Sequence, residues 1–102
     1  MAETRDFDLG DVLSALTGRL VSRRGIEGVY DVFSFVLGYP VSTIGLLAHG
    51  DRMQEEVLRQ HPDLAFVVYP ELQIKTEQQI WNWLDQMEHE YGSQLTLTTF
   101  EE

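Results

Sequence analysis

Apolar side chains recur at three- and four-residue steps through most of the first sixty positions of this chain, the period of a helix face. The densest such run is residues 25–39, GIEGVYDVFSFVLGY. Ile26, Val29, Phe33, Val36 and Leu37 line one side of it. Val32 and Phe35 widen that stripe until Glu27, Asp31 and Ser34 are the clearly polar positions. A helix this apolar must be covered on most sides, by the rest of the fold or by a partner chain. Gly38 closes it, and Tyr39-Pro40 prevents its continuation. If a side chain escapes the core to touch a second subunit, Phe35 is the first choice and Tyr30 the second.

A shorter helix precedes it. Asp8 is placed to cap, Leu9, Val12, Leu13 and Leu16 follow at helical spacing, Asp11 lies in the first turn and Gly18 ends the element. Residues 1–7 read as a flexible tail, and residues 19–22 as an extended link or a short strand. After Pro40, Ser42 or Thr43 opens a segment reaching Gln60, with Ile44, Leu47, Met53, Val57 and Leu58 as its apolar positions. His49-Gly50-Asp51 interrupts that pattern, so the segment is either one bent helix or a turn followed by a helix from Arg52.

Beyond Pro62 the pattern changes. Residues 64–69, LAFVVY, form a β-branched and aromatic run between two prolines, which predicts a buried strand. Thr76 caps a helix over residues 77–91, with Gln79 in the capping-box position and Gly92 as the stop. Residues 94–100 alternate with period two, which predicts a strand with one buried face. Strand, helix, strand at this spacing is the size of a βαβ unit. The expected fold is α+β: three N-terminal helices packed on a small C-terminal βαβ element, in one domain over residues 1–102.

Composition narrows the picture. The chain has 102 residues, 43% of them hydrophobic, and no cysteine. That length suits one domain. The missing thiols exclude disulfides, thiol catalysis and thiolate metal sites. The polar N-terminus is no signal peptide, no apolar run approaches the roughly twenty residues of a membrane span, and a cytoplasmic location is expected. Seventeen acids face seven bases, for a formal charge of −10. Residues 61–102 carry eight acids against Lys75 alone. Such a chain is repelled by nucleic-acid phosphates and anionic membranes, and attracted to basic surfaces; an acidic face kept for solubility is the plainer reading.

Catalytic chemistry finds no foothold. His49, His61 and His89 never share a helical face, and no HExxH, GxSxG, GxGxxG or GxxxxGK pattern occurs. Neighbouring carboxylates such as Glu55-Glu56 diverge. No enzyme activity, metal or cofactor is expected. Arg19, Arg23 and Arg24 make the one cationic cluster, with Asp6, Asp8 and Asp11 as the acids it would balance, so direct nucleic-acid binding is not expected. On the last helix Ile80, Leu84, Met87 and Tyr91 form the core stripe, bordered by Trp83. Trp81 falls on another side, shared with Glu77, Asp85 and Glu88. An aromatic anchor among carboxylates has the composition of a partner-binding patch; alternatively Trp81 tucks against a sheet edge or the 71–75 connector.

Phe7-Asp8-Leu9-Gly10-Asp11-Val12-Leu13-Ser14, Thr17-Gly18-Arg19-Leu20, Gly28-Val29-Tyr30-Asp31-Val32 and Gln60-His61-Pro62 resemble a family of small uncharacterised bacteriophage and prophage proteins. In that family an LGDVLS…TGRL start leads to a GVYD helix and a glycine turn. Its members carry a THQLPRA-like run after the turn, where this chain has Thr43-Ile44-Gly45-Leu46-Leu47-Ala48-His49, so no site is carried over there. The resemblance implies a phage origin and no settled activity. Two functional expectations follow. The first is a phage-encoded inhibitor of a host defence or regulatory protein, anti-CRISPR-like, acting as a nucleic-acid mimic that occupies a basic surface. The second is a homo-oligomeric structural or accessory phage protein without a host target, a homodimer being its simplest form.

Overall fold

The computed structural model describes residues 3–99. In chain order these are β1 (Thr4–Asp8), α1 (Leu9–Thr17), α2 (Ile26–Leu37), α3 (Thr43–Gln60), a 3-10 turn (Pro62–Phe66), α4 (Glu77–Tyr91) and β2 (Gln94–Thr98). The α+β class holds, with three helices ahead of a fourth. α3 runs unbroken across Gly50. The capping box at Thr76 and Gln79 closes the start of α4, and left-handed Gly18 and Gly38 end α1 and α2.

The hub of the core is α1 rather than the more apolar α2. Every residue from Leu9 to Leu16 is buried, because α1 is touched by both strands and by α2, α3 and α4. Its face of Leu9, Val12, Leu13 and Leu16 explains only half of that. The other half is small, and a Cβ at Gly10 would meet the Val21 carbonyl and the Leu84 side chain. Close approach of backbone on that side leaves Asp11 and Ser14 buried as well. Ser14 Oγ donates to the Gly10 carbonyl at 2.8 Å and accepts from the Val21 amide at 2.9 Å. The link before α2 is therefore anchored without becoming a strand.

The expected tail at residues 1–7 is corrected from Thr4 onward; residues 1 and 2 lie outside the described residues. β1 pairs antiparallel with β2, Phe7 facing Leu95 and Arg5 facing Leu97. Phe7 and Leu97 point into the core at 2% and 0% exposure. Across the outer face Thr96 Oγ1 donates to Asp6 at 2.5 Å. TRDFD carries one apolar residue, so its period is invisible alone; the distant partner strand supplies the order.

The βαβ element is corrected too. Residues 64–69 form no strand. Pro62 opens a 3-10 turn at the position where its fixed φ suits a helical start. The Leu64 amide then bonds the His61 carbonyl, and the Val67 amide the Leu64 carbonyl. Leu64 alone of the run is buried, while Phe66 and Val68 are 83% and 76% exposed. A short apolar run bounded by turn residues does not announce its conformation by period. β2 is present over Gln94–Thr98, paired with β1 instead; Phe100 lies outside the described residues.

Candidate partner-docking surface

Two polar constructions position the surface. The first is internal. Arg24 donates through Nε at 3.0 Å and Nη2 at 2.5 Å to Asp11 Oδ2, and Ser22 Oγ donates to Asp11 Oδ1. Arg24 also reaches Asp31, which Arg5 holds with two bonds of 3.0 and 2.7 Å. Asp11 is 1% exposed, yet both its oxygens are satisfied, as a buried carboxylate requires. The hydrogen bonds to Asp11 and then Asp31 raise the Arg24 pKa further. This chain of ions joins β1, α1, the following link and α2, and it accounts structurally for the aspartates of the LGDVLS and GVYD runs.

The second construction changes the expected patch. Arg23 donates to Asp85 at 2.6 Å and to Glu88 at 2.9 Å. The Glu88 hydrogen bond, foremost, holds the Arg23 pKa above its ordinary value against the effect of burial. Of the four residues expected to bind a partner, Asp85 and Glu88 are therefore joined by an internal cation, and Glu77 is exposed. Trp81 is half-buried against the core. With Tyr69, Ile74, Ile80 and Leu20 it lines a groove of about 590 Å³, rimmed by Arg23, Lys75 and Glu77. Its neighbours Ile74 and Lys75 belong to the 71–75 connector, the alternative seat expected for it.

The cationic cluster divides among its neighbours. Arg24 takes Asp11 as expected, whereas Asp6 and Asp8 bond Thr96 and Gln94. Arg19 pairs with Glu71 and sits 6.0 Å from the Tyr69 ring centre. Of the two expected subunit contacts, Phe35 meets Phe7 edge-on with ring centres 5.4 Å apart. Tyr30 shares a 2.6 Å hydrogen bond with Thr43 at the start of α3. His61 Nε2 bonds the Thr96 carbonyl at 2.6 Å, and His49 bonds the Tyr39 hydroxyl at 3.2 Å. Among the described residues no three His, Asp or Glu side chains gather as a metal set, and no helix is long and apolar enough to cross a membrane.

What the pattern did not reveal is an apolar surface around residues 17–20. Ile44 and Leu47 of α3 are 77% and 83% exposed, and Leu20 and Ile26 about half. Leu20 and Leu47 line a second groove, of about 390 Å³, with Val29, Phe33 and Leu46 beneath. A third, of about 330 Å³, runs under Val68 and Tyr69. Leu20 borders the first and second of these, Tyr69 the first and third, and Arg19 the second and third. The available signal was a surplus: Ile44, Leu46, Leu47 and Ala48 are more apolar positions than one inward stripe of α3 can use.

The model of one protein family, a domain of unknown function (DUF7736), matches residues 7–67. No curated protein and no solved structure matches the chain.

Proposed function

Taking as premise that the chain belongs to the DUF7736 family, whose function is unknown, we propose that it is a non-enzymatic binding protein of phage origin. It acts in the bacterial cytoplasm by occupying a basic, nucleic-acid-binding surface of a host defence or regulatory protein. One observation carries this reading. Arg5, Arg19, Arg23, Arg24 and Arg59 each meet a carboxylate of the same chain. These five of the seven cations are thus engaged internally, while Glu27, Asp51, Glu55, Asp63, Glu77 and Glu90 are exposed. The excess of −10 is an outward field, which steers association with a basic partner and weakens with salt. Trp81 beside Glu77 supplies an aromatic anchor within that field.

The test is capture of host nucleic-acid-binding proteins on the immobilised chain, followed by elution with salt or heparin. The expected result is a specific partner released by both and lost with Glu77→Lys combined with Trp81→Ala. A partner held equally at low and high salt, and indifferent to heparin, contradicts the charge mechanism.

A further inference from the structure

We propose that the face formed by Leu20, Ile26, Ile44 and Leu47 is where a second copy of this chain docks, giving a two-fold dimer. These large aliphatic side chains are 52%, 48%, 77% and 83% exposed, so half or more of the face they form is in water, and contiguous apolar patches of this kind mark association sites. Their charge environment selects the occupant. Residues 43–50, the first half of α3, contain no Asp, Glu, Lys or Arg. The adjoining groove has Arg19 and Asp51 as its charged lining residues, one of each sign, and Arg19 is already paired with Glu71. On a molecule of charge −10 this face offers a basic partner Asp51 alone among its groove-lining residues. It is also where two like-charged copies meet with least repulsion.

Shape agrees with charge. A two-fold interface needs one surface to carry both halves of a fit. Here Ile44 and Leu47 form a ridge on α3, beside a groove floored by Val29, Phe33 and Leu46. Rotating a second copy by 180° about an axis through this face sets each ridge over the other groove. Tyr30, bonded to Thr43 at the same end of α3, borders the contact.

Sedimentation equilibrium of the full chain, at low and high salt, tests this. The expected mass is twice 11.7 kDa, with the dimer tightening as salt rises because repulsion is screened while apolar burial is not weakened. Capture of a basic host protein must respond to salt in the opposite direction, so the two readings fail separately. Leu47→Asp is expected to weaken the dimer by about tenfold or more, since docking would bury a carboxylate. At concentrations low enough for both to be monomeric its melting curve should match the parent, Leu47 being exposed. Phe66→Asp, at an exposed side chain that does not line the groove of this face, is expected to leave the dimer intact. A monomer in high salt at hundreds of micromolar overturns the proposal, as does a dimer unchanged by Leu47→Asp. If the chain stays monomeric but Leu47→Asp abolishes capture of a host protein, the face belongs to a foreign partner and the proposal is wrong.

Discussion

Gly28 of α2 lies directly against the carboxylate of Asp11 in α1: a Cβ at Gly28 would collide with the Asp11 side chain and with Ser22 Oγ. The missing side chain on one helix makes room for the buried charge on the other. Gly28→Ala should therefore destabilise by about 2 to 4 kcal/mol, through overpacking and through disturbance of a buried carboxylate. Helix propensity alone would predict the opposite sign, since alanine is the better helix former. Urea unfolding decides between them, and a stabilised variant would show the packing to be looser than described.

The cation of that network is partly exposed, so its removal should cost less than loss of a fully buried partner. Arg24→Ala is expected to lower stability by about 2 kcal/mol, because Ser22 still bonds Asp11 while one carboxylate oxygen loses its donor. Arg23→Ala, at a partly exposed cluster of one cation and two carboxylates, should change stability by less than about 1 kcal/mol. It frees Asp85 and Glu88, so binding to a basic partner should strengthen at low salt. Weaker binding would mean that Arg23 itself touches the partner.

Acid should loosen the fold at two identified points. Burial is the largest influence on Asp31 and acts to raise its pKa, yet the hydrogen bonds and charges of Arg5 and Arg24 outweigh it and leave the group below its ordinary value. Glu56 is held low chiefly by its bonds from Arg59, against burial, with Gln60 and Arg52 adding to the effect. A carboxyl whose folded pKa is depressed stabilises the protein above its unfolded pKa, and that contribution vanishes as pH falls through the folded value. The urea midpoint should thus hold steady down to about pH 5 and fall below about pH 4. Asp31→Asn with Glu56→Gln should start lower and lose less on acidification; an unchanged slope would place the acid-sensitive groups elsewhere.

The strand at the start of the described chain makes a prediction that a loose tail would not. Phe7→Ala should destabilise by about 3 to 5 kcal/mol, as for other buried phenylalanines. By contrast Phe66→Asp should shift stability by less than about 0.5 kcal/mol, since Phe66 projects into water. In a buried strand at 64–69 that second change would be crippling, so thermal melts of the two variants separate the architectures.

These contrasts show which parts of the structure were legible in the amino-acid pattern. α4 announces itself with a cap, a capping box, a four-residue stripe and a terminal glycine, all local signals, and its ends fall where the pattern puts them. β1 has no local signal, because its order comes from a strand more than eighty residues further on. Ile44 and Leu47 were legible as apolar positions but not as an exposed face, because helical spacing identifies a stripe without saying which side is covered. Trp81 and Glu77 were placed on one helix correctly, but the charge state of their neighbourhood depended on Arg23, which reaches α4 from 62 residues away. Such pairings belong to tertiary structure, and composition counts the charges without saying which ones cancel.

The antiparallel pair has a temporal consequence. Asp6 and Thr96 are 90 positions apart, with all four helices between them, so a ribosome makes one strand long before its mate. Until β2 has left the exit tunnel, the β1 side of α1 has no sheet to cover it. The nascent chain must therefore carry its most buried helix partly naked while all four helices are made, and closure becomes a late, cooperative event that depends on a closing loop of great length. A permuted chain that joins the two strands through a short turn should remove that wait and fold faster, with the same core.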